Sequence, residues 1–257
     1  MSEKFDDRIR GLANLVRLRK PAFAFTGAGC STESGIPDFR SPGGVWSRYR
    51  MITFQEFLES EQARREQWAL HRDLYAGLSA ARPNAAHRAL ARLHSLGLLE
   101  AVVTQNIDGL HQAAGMPPSA VIELHGNERG VICLSCGARY DRDEIQRRLE
   151  DGLEIPLCDS CGGLLKTTTV WFGEPLPSDA LEAAFSLAER ARLCLVVGSS
   201  LAVYPAASVP ELAVRSGAAL AVINRDPTPL DHAADLIFRE PAGEVLEALV
   251  HTLESDA

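Results

Sequence analysis

Five short runs of β-branched and apolar residues, AFAFT (22–26), AVVT (101–104), LCLVVG (193–198), LAVIN (220–224) and LIF (236–238), are separated by stretches of helical period. Runs so short and so uniformly apolar suit strands buried on both faces. Strands that alternate with helices call for an α/β fold, a mostly parallel sheet with helices covering both faces. Sheets of that kind bind ligands at the carboxyl ends of their strands, so the residues just after each run are the informative ones. GAGCS comes after the first, QNIDGLH after the second, SSLAVYPA after the third and RDP after the fourth. Four polar or glycine-bearing turns are thus expected at one edge of the sheet.

The helices are equally marked. DDRIRGLANLVRLR carries Ile9, Leu12, Leu15, Val16 and Leu18 on or near one face. Thr53 and Glu56 form a capping box for a helix through FQEFLES, and Asn84 opens NAAHRALARLHSLG, which stops at Gly97. SDALEAAFSLAER, PAASVPELAVRSG and AGEVLEALVHTL repeat the amphipathic pattern, with a kink expected at Pro210.

A chain of 257 residues has room for one large domain carrying a smaller insertion. The segment 127–170 breaks the alternation and is poor in apolar residues, so it reads as an inserted module. The stretch from about 47 to 81 is helical in character and is expected to pack beside it. The expected division is 1–46, 82–126 and 171–257 for the large domain, 47–81 for a helical part of the small one, and 127–170 for the module. A formal charge of −8 argues against binding nucleic acid by counterion release. No window approaches the roughly 18 apolar residues of a membrane span, and MSEKFDDRIRGL is charged where a signal peptide would be apolar. The expectation is a cytoplasmic protein with no membrane and no specific nucleic-acid partner.

Four of the six cysteines form two CxxC pairs, Cys133 with Cys136 and Cys158 with Cys161, with 21 residues between the pairs. Without a secretion signal such pairs point to metal rather than to disulfides. Four thiolates close a tetrahedral site and leave no place for water, which makes one structural zinc the expectation. Cys30 and Cys194 read as small buried hydrophobes. The Gly27-Ala28-Gly29 turn lacks the third glycine and the downstream acid of a hydride-transferring dinucleotide site, and alone it is compatible with a purely structural turn. TQNIDG (104–109) could be a plain strand-to-helix turn, and His125 a hydrogen-bonded core residue. His111 is expected to pack or cap. VWFGEPLP (170–177) looks like an extended segment able to pair with a peptide backbone.

Taken together and in this order, GAGCSTESGIPDFR, TQNIDGLH, ELHGN, the CxxC pairs, VWFGEPLP, GSS and NRD resemble the sirtuins, NAD-dependent protein-lysine deacylases. The likeness runs from about Ala22 to Ala242. It implies a Rossmann-like domain with a small domain made of a zinc ribbon and a helical part. It implies a reaction in which the acyl oxygen of an acyl-lysine attacks the anomeric carbon of the nicotinamide ribose, so that NAD is consumed as a co-substrate. By the same resemblance Gly27, Ala28, Gly29 and Ser31 hold the pyrophosphate, while Ile36, Asp38, Phe39 and Arg40 grip ribose and nicotinamide. Phe39 would shield the reacting centre from water. Asn106, Ile107 and Asp108 would line the nicotinamide pocket, with Asn106 and Asp108 serving catalysis, and Gln105 would hold the ribose. His125 matches the general base. Gly198, Ser199 and Ser200 would contact phosphate and the adenine-side ribose, Asn224 the adenosine ribose. Arg225 and Ala242 complete that set, Arg225 with no assigned role.

The acylated protein or peptide is expected to add as a strand between Val170, Phe172, Gly173 and Glu174 on one side and the loop around Val203 on the other. The Val170 carbonyl would take the acyl-lysine amide proton. Relatives that favour acidic acyl groups carry Tyr and Arg three residues apart before RPNAAH; here Trp68 and His71 stand near that place, so an uncharged acyl group, acetyl first, is expected. Thr167 replaces a proline usual in LLKTTTVWFGE. An ADP-ribosyltransferase or NAD hydrolase using the same pocket, and a non-catalytic NAD-sensing module, are the alternatives.

Overall fold

The computed structural model describes residues 3–38 and 44–255; the candidate residues Phe39 and Arg40 lie outside them. The strands are β1 (Ala22–Thr26), β2 (Ala101–Thr104), β3 (Val121–Glu123), β4 (Gly130–Cys133), β5 (Arg139–Asp141), β6 (Leu165–Thr167), β7 (Leu193–Val197), β8 (Ala219–Ile223) and β9 (Leu236–Phe238). The helices are α1 (Glu3–Leu18), α2 (Phe54–Glu59), α3 (Glu61–Ala80), α4 (Ala85–Ser95), α5 (Leu110–Ala113), α6 (Arg142–Glu150), α7 (Ser178–Arg190), α8 (Ser208–Arg215) and α9 (Ala242–Ser255). Among the described residues no helix is long and apolar enough to cross a membrane.

A six-stranded sheet runs β3-β2-β1-β7-β8-β9, and every neighbouring pair in it is parallel. Chain order therefore reverses between β1 and β7, which opens a crevice at their carboxyl ends. Alternation along each strand sorts the core. Ala22, Ala24, Leu193, Leu195 and Val197 face the layer of α1, α4 and α9, while Phe23, Phe25, Cys194 and Val196 face α7 and α8. Both phenylalanines are wholly buried, each worth about 2–3 kcal/mol in area removed from water.

The three-stranded antiparallel sheet β5-β4-β6 lies apart from the parallel one in topology and has its own core. Ile52, Phe57, Trp68, Val131, Ile145, Leu165 and Trp171 cluster there, drawn from α2, α3, α6 and the segments around them.

The five expected strands are present, the third and fourth each ending one residue earlier, and the fourth also beginning one earlier, at Ala219. The Thr53–Glu56 capping box forms with both reciprocal bonds, and Asn84 caps α4 through Ala86 N and His87 N. Three points depart from the sequence reading. β3 adds an edge strand on Val121 and Ile122, too short to stand out by alternation. Pro210 sits in the first turn of α8, where a missing N–H costs nothing, so it starts the helix rather than kinking it. Leu18 is 80% exposed at the last position of α1, off its buried face.

Candidate functional site

At the reversal point the turns after β1 and β7 interlock. Gly27 N donates to Val197 O at 3.1 Å, and Gly29 N to Gly198 O at 2.9 Å. A Cβ on Gly27 or Gly29 would lie 2.8 or 2.9 Å from Gly198 backbone atoms. Gly198 itself has φ +61°, and a Cβ there would stand 2.1 Å from Cys30 N. Only glycine lets these two turns touch, and their contact makes the floor of a cavity of about 770 Å³.

That cavity gathers most of the candidates. Gly27, Ala28, Gly29, Asp38, Gln105, Asn106, Ile107, His125, Gly198, Ser199, Ser200, Asn224, Arg225 and Ala242 line it, as do Val170, Phe172, Gly173, Glu174 and Val203. Segments up to 215 positions apart thus share one wall, from Gly27 to Ala242. Ser31, Ile36 and Asp108 are not in the lining. Ser31 is buried beneath the first turn, its hydroxyl donating to Asp108 Oδ2 at 2.7 Å and accepting from Asn106 Nδ2 at 3.0 Å. Asp108 Oδ1 accepts Leu110 N at 2.9 Å, so this carboxylate ties the first turn to α5. Asn106 also donates to Gly27 O at 3.1 Å.

His125 is half-buried on the cavity wall just past β3. Its Nδ1 lies 3.0 Å from Gln105 O. A carbonyl can only accept, so Nδ1 carries the proton and, in the neutral ring, Nε2 keeps the lone pair. Gln105 in turn donates to Ser199 Oγ at 2.8 Å, which links the imidazole's support to the turn after β7. Such a ring can hold or release a proton at Nε2. Val170 N donates to His125 O at 2.8 Å and so brings the extended segment against it. Glu174 folds that segment: it accepts Trp171 N at 2.7 Å and pairs with Lys166 at 3.0 Å.

On the other wall, sequence reasoning named only His71. Ile52, Gln67, Leu70, His71, Leu74 and Trp171 line the cavity from the small sheet's side. His71 stacks on Trp171 with ring centroids 5.3 Å apart, and its Nδ1 lies 3.0 Å from Glu128. Trp68, by contrast, is fully buried and packs in the small core. The resemblance placed Trp68 and His71 together, and only the fold shows that His71 faces the cavity while Trp68 does not. A second depression, about 500 Å³ near Glu100 and Ala120, lies at the amino ends of β2 and β3, away from these groups.

Cys133, Cys136, Cys158 and Cys161 each place a sulfur within 4.8 Å of the others. Two of the separations are 3.6 Å, Cys133 to Cys161 and Cys136 to Cys158. Thiolates at 2.3 Å around a tetrahedral zinc stand about 3.8 Å apart, so the four sulfurs fit the ion. Backbone N–H groups of Ser135 and Cys136 point at Cys133 Sγ at 3.4 and 3.5 Å. The Tyr140 hydroxyl, 3.2 Å from Cys158 Sγ, draws that thiol down to about 6. Donors aimed at sulfur favour the thiolate that a metal needs.

Comparison with known proteins agrees with this geometry. A model of the Sir2 family matches residues 27–205. An NAD-dependent protein deacetylase of Thermodesulfovibrio yellowstonii is 46% identical over 257 residues, covering all of this chain and 99% of that one. An NAD-dependent protein deacylase of Thermococcus kodakarensis is 44% identical over 94% of each chain. Among solved structures, a Sir2–p53 peptide–NAD+ complex superposes with a TM-score of 0.88 at 38% identity, covering 97% of this chain and 99% of that one. Sir2Tm bound to a propionylated peptide gives 0.85 at 39%, covering 95% and 98%. With identity sustained from end to end and the family model spanning both interlocked turns and the four cysteines, this chain belongs to the Sir2 family.

Proposed function

We propose that this chain is an NAD-dependent protein-lysine deacylase, acting first on acetyl-lysine, with NAD consumed as co-substrate and one structural zinc. One observation carries the reading. His125, with its tautomer set by Gln105 O, shares a cavity with both glycine turns and with the Val170–Glu174 segment. The dinucleotide would supply the nicotinamide–ribose bond that the reaction breaks, and the zinc would hold the small sheet together.

The chain's own residues then divide the work. The turns at Gly27–Gly29 and Gly198–Ser200 let phosphate approach the backbone closely, with Asn224, Arg225 and Ala242 on the adenosine side. Asn106, Ile107 and Asp108 serve the nicotinamide side, Asp108 through Ser31 and α5, and Gln105 orients the ribose. Ile36, Asp38, Phe39 and Arg40 would grip ribose and nicotinamide, and Phe39 would shield the reacting centre from water. His125 Nε2 takes a ribose hydroxyl proton. The Val170 carbonyl accepts the acyl-lysine N–H, while Phe172, Gly173, Glu174 and Val203 flank a peptide that pairs by its backbone. Segments 1–46, 82–126 and 171–257 would act as the dinucleotide domain, 47–81 and 127–170 as the small domain. We place the activity in the cytoplasm, in keeping with cysteines that form no disulfide among the described residues.

Nicotinamide release from an acetylated peptide mixture tests this, with wild type compared to His125→Ala. Release should require acetyl-lysine and fall by at least ~10²-fold in the variant, whose circular dichroism stays unchanged. Release without acyl-lysine would make the chain an NAD hydrolase, and no release at all would make it a binding module.

A further inference from the structure

Cys30, His87 and His111 meet beneath the Gly27–Ser31 turn and line no part of the cavity. Their exposures are 0%, 0% and 1%. One ring nitrogen of each histidine and the Cys30 sulfur lie within 4.8 Å of one another, and the two rings are 4.9 Å apart.

The surrounding hydrogen bonds orient both rings. Asn84 Nδ2 donates to Cys30 O at 2.8 Å and Asn84 Oδ1 accepts Ala86 N at 2.9 Å, which fixes the amide's orientation. His87 Nδ1 lies 2.9 Å from that same Oδ1, which can only accept, and 3.3 Å from Asn84 N, a donor; the shorter contact puts the ring proton on Nδ1. Its Nε2 is left with a lone pair 3.4 Å from Ser31 Oγ, whose proton already goes to Asp108. At the second ring, the Thr26 hydroxyl donates to Thr104 at 2.8 Å. Its oxygen then accepts His111 Nε2–H at 3.0 Å. His111 Nδ1 keeps a lone pair, buried and with no partner. Two imidazoles, each anchored through a ring N–H on a protein oxygen and each with a ring nitrogen within 4.8 Å of a thiol, repeat the arrangement that orients metal-bound histidine.

Two imidazoles and one thiolate form a trigonal set suited to copper. Zinc would want a fourth ligand and would leave a net positive charge in a site shut off from water. A cuprous ion with one thiolate is neutral. We propose that Cys30, His87 and His111 form a three-coordinate Cu+ site under the turn after β1, separate from the four-cysteine cluster. On binding, the Cys30 S–H bond breaks, its proton leaves to solvent, and an S–Cu bond forms. Both imidazoles donate lone pairs, and no electron is transferred.

Metal–ligand bonds of about 2 Å would draw together donors now spread over up to 4.8 Å, and Cys30 would carry its turn with it. Copper should then slow the deacylase, a consequence that rests on the function proposed above; the binding itself does not.

The test counts ions. Zinc-replete protein is incubated with Cu+ buffered by a chromogenic chelator, desalted, and its copper and zinc measured per chain. The wild type should take up one copper, slowly because the site is buried, and keep its zinc. Cys30→Ala and Cys30→Val, the second keeping an apolar filling, should bind copper at least 100-fold more weakly with zinc retained and thermal unfolding cooperative. No uptake, uptake matched ion for ion by zinc release, or undiminished uptake in both folded variants would overturn the site. Nicotinamide release is read in parallel: copper should inhibit the wild type and spare the variants. Copper bound as expected without inhibition would leave the site standing and remove its link to the reaction.

Discussion

Gly198 does more than its place in a phosphate-facing turn would require. It adopts φ +61°, and an added methyl would meet Cys30 N at 2.1 Å. That neighbour is backbone in a turn already bonded back to Val197 and Gly198, so neither side can yield without opening the floor of the cavity. Gly198→Ala should therefore destabilise the protein by about 2–4 kcal/mol, from the left-handed backbone cost plus the clash. Urea unfolding would show it as a lower midpoint at unchanged slope. Dinucleotide affinity should fall as well, and a variant of wild-type stability would refute the interlock. Sequence alone could nominate Gly27, Gly29 and Gly198 as turn residues. That they need one another is a property of the reversal between β1 and β7, and no local pattern carries it. The same holds for Ser31 and Asp108, which read as ligand-facing in the sequence and in the fold bond chiefly to each other and to α5.

Elements were legible where their signal is local. Continuous apolar runs gave the central strands, and the hydrogen-bonding side chains of Thr53, Glu56 and Asn84 gave helix starts. Elements held by tertiary partners were not. α6 carries few apolar residues and is fastened instead by Ile145 and Leu149 in the small core and by the wholly buried Arg142. β4, β5 and β6 are three or four residues each, too short for alternation to speak, and their pairing converges on the CxxC knuckles. That weakness makes a prediction. The small core has few members, so the metal should supply much of the local stability. Stripping zinc with a thiol-reactive agent and a chelator should speed amide exchange in β4, β5 and β6 by 10²-fold or more. β1, β2, β7 and β8, held by two larger cores, should keep their protection. Unchanged exchange around the cysteines would mean that the four sulfurs need no ion.

At the scale of the whole molecule, the cavity is walled on one side by the parallel sheet's turns and on the other by α3, and the second wall bears on acyl choice. His71 lines it from α3, stacked on Trp171. Behind the ring, Glu128 Oε1 receives both His71 Nδ1 and Arg142 Nε at 3.0 Å, and Arg142 Nη2 donates to His71 O at 2.9 Å. This buried trio joins α3, the segment after β3 and α6, and breaking one partner would strand a charge. It also uses up the cation. Arg142 has no exposed surface and is committed to Glu128, and the described lining residues near His71 are Gln67, Leu70, Leu74 and Trp171. Among these described residues an acyl group that ends in a carboxylate would meet no free cation, Lys166 on the Trp171 ring being paired with Glu174, and would face the carboxylate of Glu128 one ring away, so burying its charge would go uncompensated. Neutral acyl groups carry no such cost. On a panel of otherwise identical lysine peptides, acetyl and propionyl should be removed with kcat/KM at least ten times that for succinyl, a discrimination of about 1.4 kcal/mol or more in the transition state. Equal or faster turnover of the succinyl peptide would show that a cation reaches the acyl group from elsewhere, and would overturn this reading of the wall.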